Sequence, residues 1–297
     1  MSDKEQLAIQ RLREASEMSL YQYKKPLIIT DSGGKDSSVC VELARRAGIS
    51  FEVEHNLTTA DAPETIYFIR REFARLEALG IPCKINHPYY KGKRTSMWAL
   101  IPQKLIPPTR SMRYCCSVLK ERGGQGRFIA TGVRWAESVR RRDSRGIFEK
   151  GAADPAKRII LNNDNDDKRR LFEHCTLQAK RVCNPIIDWT DSDVWDFLLS
   201  EKIPLNPLYA EGFSRVGCVG CPMAGKKRYR EFARWPAYER MYLHSFERML
   251  EERRQRGKLD KGWRCGATGV KVFHWWMEDG VLPGQLSFDE YEEAMEG

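Results

Sequence analysis

The sequence predicts an α/β protein, a doubly wound and mostly parallel sheet with a helical C-terminal region that carries a cysteine-rich element. Three observations predict it. Up to residue 132, short apolar runs alternate with amphipathic stretches, the pattern of strand–helix–strand units. The first apolar run, Leu27-Ile28-Ile29-Thr30, ends in a small polar turn that opens straight into a helical pattern. Beyond residue 226 the chain is mostly charged helix, and Cys218-Val219-Gly220-Cys221-Pro222 stands just before it.

Each element has its own reason. Leu7, Ile9, Leu12, Ala15 and Met18 recur near helical spacing, which predicts a leading helix over 3–19. A strand over 26–30 is followed by a helix over 37–47, whose apolar face is Val39, Val41, Leu43, Ala44 and Ala47. Residues 51–56 read as a second strand. Pro63, with Glu64 in the first turn, starts a helix that runs to about Leu79, where Gly80-Ile81-Pro82 stops it. A short third strand over 83–86 and a buried fourth over 127–132 follow. Residues 141–181 are polar and without periodicity, so they predict a long loop. Thr190, with Asp193 three residues on, predicts an N-cap for a helix faced by Val194, Trp195, Phe197, Leu198 and Leu199. Pro204 and Pro207 force an extended turn, and Pro236 and Gly257 interrupt the later helices. The expected division is residues 1–185 for the α/β domain and 186–297 for a helical region packed on it.

Composition bounds the function. The 297 residues are 41% apolar, enough for a real core, and no run approaches the ~18 apolar residues of a membrane span. The charged start, Met1-Ser2-Asp3-Lys4-Glu5, has no apolar leader, so the expected place is the cytoplasm and no membrane is expected. There the nine cysteines stay reduced, which moves them from disulfides toward metal binding. A net charge of +9 suits a polyanion, either nucleic acid or a nucleotide with several phosphates. The basic clusters around Arg140–Arg142, Lys226–Arg230 and Arg253–Lys258, and the acidic runs at 164–167 and 289–293, read as solvated surface.

Three constellations carry chemistry. In Ser32-Gly33-Gly34-Lys35-Asp36-Ser37 the turn aims backbone N–H groups and a helix N-terminus at one point, where phosphate is the natural occupant. Lys35 adds a mobile charge, and Ser32 and Ser37 add hydroxyls. At the end of the fourth strand, Gly132-Val133-Arg134-Trp135-Ala136-Glu137-Ser138-Val139-Arg140 places Arg134 and Arg140 at the same sheet edge. Guanidinium forks suit phosphate oxygens, and Glu137 is placed to orient one of them. Two cysteine pairs, Cys115-Cys116 and Cys218/Cys221, supply four thiolates for a [4Fe–4S] cluster, with zinc or redox thiols as the alternatives. Cys183 and Cys265 are alternative ligands, while Cys40 and Cys83 read as packing and Cys175 is uninformative. The five histidines share no metal spacing, and Trp275-Trp276 reads as helix packing.

Five segments in order resemble the PAPS reductase/PP-loop superfamily: Ser32–Ser37, Pro63-Glu64-Thr65, the tandem cysteines before Leu119-Lys120, Gly132–Arg140, and Asn184-Pro185-Ile186-Ile187-Asp188-Trp189 leading to Gly217–Pro222. The resemblance implies a Rossmann-like domain that binds an adenine nucleotide through Ser32, Gly33, Gly34, Lys35, Asp36, Ser37, Gly132, Arg134, Glu137 and Arg140. Lys35, Asp36 and Arg134 are then catalytic, and Cys115, Cys116, Cys218 and Cys221 hold the cluster. Two branches share these parts. In the sulfate reductases APS or PAPS lies over the loop, and a cysteine in a C-terminal Glu-Cys-Gly-x-His motif attacks its sulfur to release sulfite. Here the tail lacks that motif, and Cys265, in Arg264-Cys265-Gly266-Ala267, is the nearest candidate. The other branch resembles the ATP pyrophosphatase subunit of DNA phosphorothioation systems. It implies Mg²⁺-ATP cleaved to AMP and pyrophosphate, an adenylated target and sulfur displacing AMP. Asp36 and Asp61 are its Mg²⁺ candidates, DNA or RNA its acceptor, and a cysteine desulfurase or thiol donor protein its sulfur source. The missing motif and the positive charge favour this second branch. A nucleotide-sensing subunit without turnover is the reading outside both.

Overall fold

Leu27, Ile28 and Ile29 are all buried, as expected of a strand covered on both faces. In the computed structural model, which describes residues 2–121, 123–150, 159–162, 164, 180–258 and 267–278, that strand lies at the centre of a sheet. The described strands are β1 (Leu27–Thr30), β2 (Phe51–Asn56), β3 (Cys83–Asn86), β4 (Tyr89–Tyr90), β5 (Lys93–Arg94), β6 (Phe128–Ala130), β7 (Phe148–Lys150), β8 (Ile159–Leu161) and β9 (Arg181–Cys183). The main sheet has the order β3-β2-β1-β6-β9-β7-β8. Its first five members are parallel, with Leu27 opposite Phe51, Ile28 opposite Ile129, and Phe128 opposite Arg181. The chain winds outward from β1 to β3 and then returns on the other side of β1 as β6. This reversal is the topological switch point, where open sheets bind ligands beyond their carboxyl ends. The polar turn after β1 stands there.

Helices flank the sheet. They are α1 (Asp3–Tyr23), capped by Ser2 on the Glu5 N–H, α2 (Lys35–Arg46) and α3 (Pro63–Ala78). Leu12, Ala15, Val39, Leu43, Ile69 and Phe73 share one core with Leu27, Ile29, Val53 and Ala130. Each such side chain contributes about 1.5–3 kcal/mol on burial. Cys40 and Cys183 belong to this core, as expected for Cys40.

The segment read as a long loop departs from expectation. It supplies β7, β8 and the start of β9, and β7 runs antiparallel to both of its neighbours. Three-residue strands are too short to show a period, and their pairing is set by distant partners such as Cys183 opposite Phe148.

The two compact units also interleave along the chain instead of meeting at 185/186. The first takes residues 1–56, 63–86 and 122–216, because β6, β7, β8 and β9 complete its sheet. The second takes 57–62, 87–121 and 217–297. It holds the β4–β5 hairpin and helices Met97–Lys104, Lys227–Arg234, Pro236–Gln255 and Gly269–Glu278. Its core is aromatic: Phe232, Tyr242, Phe246, Phe273 and Trp276 meet mostly edge to face or tilted. Trp276 therefore packs, as predicted, and its Nε1 donates to the Pro108 carbonyl at 2.6 Å. The buried Arg228 donates to the Trp276 and Met277 carbonyls at 2.8 and 3.2 Å, satisfying the open end of helix Gly269–Glu278. No described helix is long and apolar enough to cross a membrane.

Candidate functional site

In the first unit the turn after β1 is held from within. Asp31 Oδ1 accepts the Gly33 N–H and the Ser37 hydroxyl, both at 2.8 Å. Ser37 Oγ also accepts the Ser32 N–H at 3.2 Å. Burial pushes the Asp31 carboxyl up from its ordinary value. The Gly33 and Ser37 bonds and nearby His55 oppose this, and Glu72 adds to it. Gly132 lets the end of β6 come close, because a Cβ there would sit 2.8 Å from the Asp36 carbonyl carbon and oxygen.

The N-cap residue of helix α2, Gly34, has no side chain to cap it, so its first N–H groups are left to other acceptors. Lys35 and Asp36 lie in its first turn. Lys35 Nζ donates to Asp36 Oδ1 at 3.0 Å and to Asp191 Oδ1 at 2.9 Å. Arg134, 1% exposed, donates from Nε to Asp36 Oδ1 at 2.7 Å and from Nη2 to Asp191 Oδ1 at 2.7 Å. Its third bond, from Nη1, goes to the Trp189 carbonyl at 3.2 Å. Two cations and two carboxylates thus form one closed square. The Lys35 bond, then the Arg134 bond, hold Asp191 below the usual carboxylate range against its burial. A ligand phosphate that drew Lys35 away would leave Asp36 and Asp191 beside it, a pair of hard oxygen donors suited to Mg²⁺.

The sequence reading placed Lys35, Asp36, Gly132 and Arg134 together, and they are together. It missed Asp191, which begins the helix Asp191–Ser200 and which Thr190-Asp191-Ser192-Asp193 had marked only as a cap. Glu137 serves the backbone: its Oε2 accepts the Arg134 N–H at 3.0 Å and pairs with Arg141. The Arg140 side chain lies outside the described residues, as do Cys175, Cys265 and the acidic tail. A cavity of about 340 Å³ lies between α2 and α3, with Asp31 and Glu72 in its lining. Lys35, Asp36 and Arg134 do not line it.

In the second unit Cys115, Cys116, Cys218 and Cys221 line one cleft with Thr58, Met97, Leu119, Lys120 and Tyr242. A π-type turn over Cys116–Lys120 carries the tandem pair's second member. Gly220, at φ 73°, takes the left-handed conformation between the other two. A Cβ there would also strike the Phe232 ring at 2.6 Å. Thr58 Oγ1 accepts from Cys218 Sγ at 3.3 Å, and the Thr58 N–H is held by Asp61 Oδ2 at 2.7 Å. Asp61, an expected Mg²⁺ ligand, gives Oδ2 to this turn, and its backbone is bridged to Cys218.

The Cys115–Cys116 hydrogen bond draws the Cys116 thiol down to about 6, helped by Lys120 and Arg113 against burial. The same bond pushes Cys115 up. Lys120 is held above the ordinary lysine value, first by Cys218 and then by Asp61, Cys221 and Cys116, against its own burial. Among the described residues no three His, Cys, Asp or Glu side chains are gathered to hold a single metal ion. Four soft sulfur donors around one cleft suit a polynuclear cluster better than one hard or tetrahedral ion. Cys183 stands apart from this set: it is fully buried in β9, with Sγ 3.8 Å from the Arg11 carbonyl oxygen.

Residues 26–224 match the phosphoadenosine phosphosulfate reductase domain family, and the chain belongs to it. It is 24% identical over 258 residues to an uncharacterized protein of Methanocaldococcus jannaschii, which covers 81% of this chain and 44% of that protein. The chain spans less than half the length of the first Methanocaldococcus relatives it matches. An adenosine 5'-phosphosulfate reductase of Geobacillus kaustophilus is 24% identical over 205 residues, 67% of this chain and 74% of that protein. Among solved structures, the phosphoadenylyl-sulfate reductase of Candida auris aligns over 73% of this chain and 96% of that one, at 16% identity and a TM-score of 0.43.

Proposed function

We propose that the chain is a PP-loop enzyme of sulfur transfer that cleaves Mg²⁺-ATP to AMP and pyrophosphate, adenylating an oxygen of a nucleic-acid acceptor that sulfur then replaces. The observation that carries this reading is the square of Lys35, Asp36, Arg134 and Asp191. Two carboxylates beside a phosphate loop oppose an anionic ligand arriving alone and favour one that brings a divalent cation. Lys35 and the α2 N-terminus take the charge that grows on the leaving pyrophosphate. Arg134, its donors spent on Asp36, Asp191 and Trp189, positions the carboxylates. Cys115, Cys116, Cys218 and Cys221 hold the [4Fe–4S] cluster, which supplies redox or sulfur-carrying chemistry when bound, and Lys120 offsets part of its charge.

A second reading, release of sulfite from APS or PAPS, is favoured by the relative named as an adenosine 5'-phosphosulfate reductase. Its nucleophile would be Cys265. The test is protein purified without oxygen, analysed for iron and acid-labile sulfide, and then given Mg²⁺-ATP. AMP with pyrophosphate is expected, with water taking the adenylyl group where no acceptor is supplied. ADP with phosphate, or iron-free protein holding zinc, contradicts the reading.

A further inference from the structure

The segment Asn206-Pro207-Leu208-Tyr209 is strapped onto the phosphate loop. Asn206, 2% exposed, donates from Nδ2 to the Gly33 carbonyl at 3.2 Å and to Thr65 Oγ1 at 3.1 Å. Its Oδ1 accepts the Leu208 N–H at 3.1 Å and so starts a single tight turn, Pro207–Tyr209. The turn sets the Tyr209 ring edge-on to Trp195, with centroids 5.3 Å apart. It brings the phenol oxygen to 2.8 Å from the Lys35 N–H, the first of α2.

We propose that the Tyr209 hydroxyl is a phosphate-binding group, which donates its proton to an oxygen in the phosphate chain of the bound adenine nucleotide. The assignment rests on the nucleotide reading above and deepens it. A hydroxyl both accepts and donates. Tyr209 accepts from the Lys35 N–H, and among the described residues no acceptor receives its own proton. Burial above all, and then Asp36, pushes the phenol up to about 12, with the Lys35 N–H, Arg215 and Arg134 opposing. The proton therefore stays in place at neutral pH. At the positive end of α2, beside Lys35, the acceptor that fits is an anionic oxygen. Phenol and lysine then grip the phosphate chain and leave the nucleoside to other contacts.

Calorimetric titration of pyrophosphate and ATP, each with Mg²⁺, and of adenosine into the wild type, Tyr209→Phe and Lys35→Ala tests the assignment. Tyr209→Phe is expected to weaken pyrophosphate and ATP alike by about tenfold, as a lost bond to a charged group does, and to leave adenosine unchanged. Equal or tighter pyrophosphate binding in Tyr209→Phe, with binding lost in Lys35→Ala, overturns Tyr209 alone and keeps the nucleotide reading. A wild type that binds neither phosphate ligand overturns both. Should Tyr209→Phe fail to fold, 3-fluorotyrosine at position 209 replaces it. Pyrophosphate is expected to shift its fluorine resonance, and an unmoved resonance overturns the assignment.

Discussion

The phosphate loop and the thiol cleft balance charge in opposite ways. At the loop, Lys35 and Arg134 are matched by Asp36 and Asp191, with every partner drawn from the chain. At the cleft, among the described residues, four thiols have Lys120 and, for Cys116, Arg113 as their cations, and Cys218 donates to Thr58. A site that takes and releases a ligand at every turnover needs counter-ions that return when the ligand leaves. A donor set for a resident group needs none, because the group itself satisfies the donors. The difference is the one expected if the first is a substrate site and the second, as proposed, the seat of a resident group.

The contrast breaks at its strongest point if Lys35→Ala still turns over. That variant should lose on the order of 10²–10³ in rate of ATP cleavage, with an unchanged circular dichroism spectrum. Arg134→Ala should act differently. It leaves the Trp189 carbonyl without its donor and Asp36 and Asp191 with Lys35 alone, costs about 3 kcal/mol and lowers the melting temperature. A variant as stable as the wild type would show that the square is not structural.

Asp191 and Asp193 sharpen the contrast within one helix. Asp191→Asn should raise the Mg²⁺ concentration needed for half-maximal turnover by roughly tenfold, because one of two hard donors is lost. Asp193→Asn should leave turnover alone, since Asp193 bonds Thr190 and Lys4. Burial resists, but Lys4 and then Thr190 hold Asp193 down to about 2. A carboxylate depressed on folding stabilises above its unfolded value near ~4. That stability is lost as pH falls toward 2. The wild type should therefore show a small acid loss, below ~1 kcal/mol for so exposed a pair, which Asp193→Asn lacks in acid unfolding curves.

Much of the loop was legible because its cause is local. A strand, a small polar turn and a helix in direct succession need no distant partner, and Arg134 follows from standing at the end of β6. Asp191 was not legible, because its carboxylate acts on residues far back in the chain while its neighbours spell out a cap. Tyr209 was hidden in the same way: Pro204 and Pro207 predict a turn, but not what the turn touches. β7 and β8 are three residues each, and only their pairing makes them strands. Asp61 looked free before Pro63, and a hydrogen bond from the Thr58 N–H, three residues back, ties it into that turn. The cysteines were legible as pairs, and the fold alone gathers the pairs.

The central claim is that the loop cleaves ATP between the α and β phosphates. Anaerobic protein given Mg²⁺-ATP and, in a parallel vessel, adenosine 5'-phosphosulfate with a thiol donor puts it to the test, with pyrophosphate and sulfite followed together. Pyrophosphate from ATP without sulfite is the predicted result. Sulfite from the phosphosulfate, with ATP untouched, would contradict the account and make the chain a reductase.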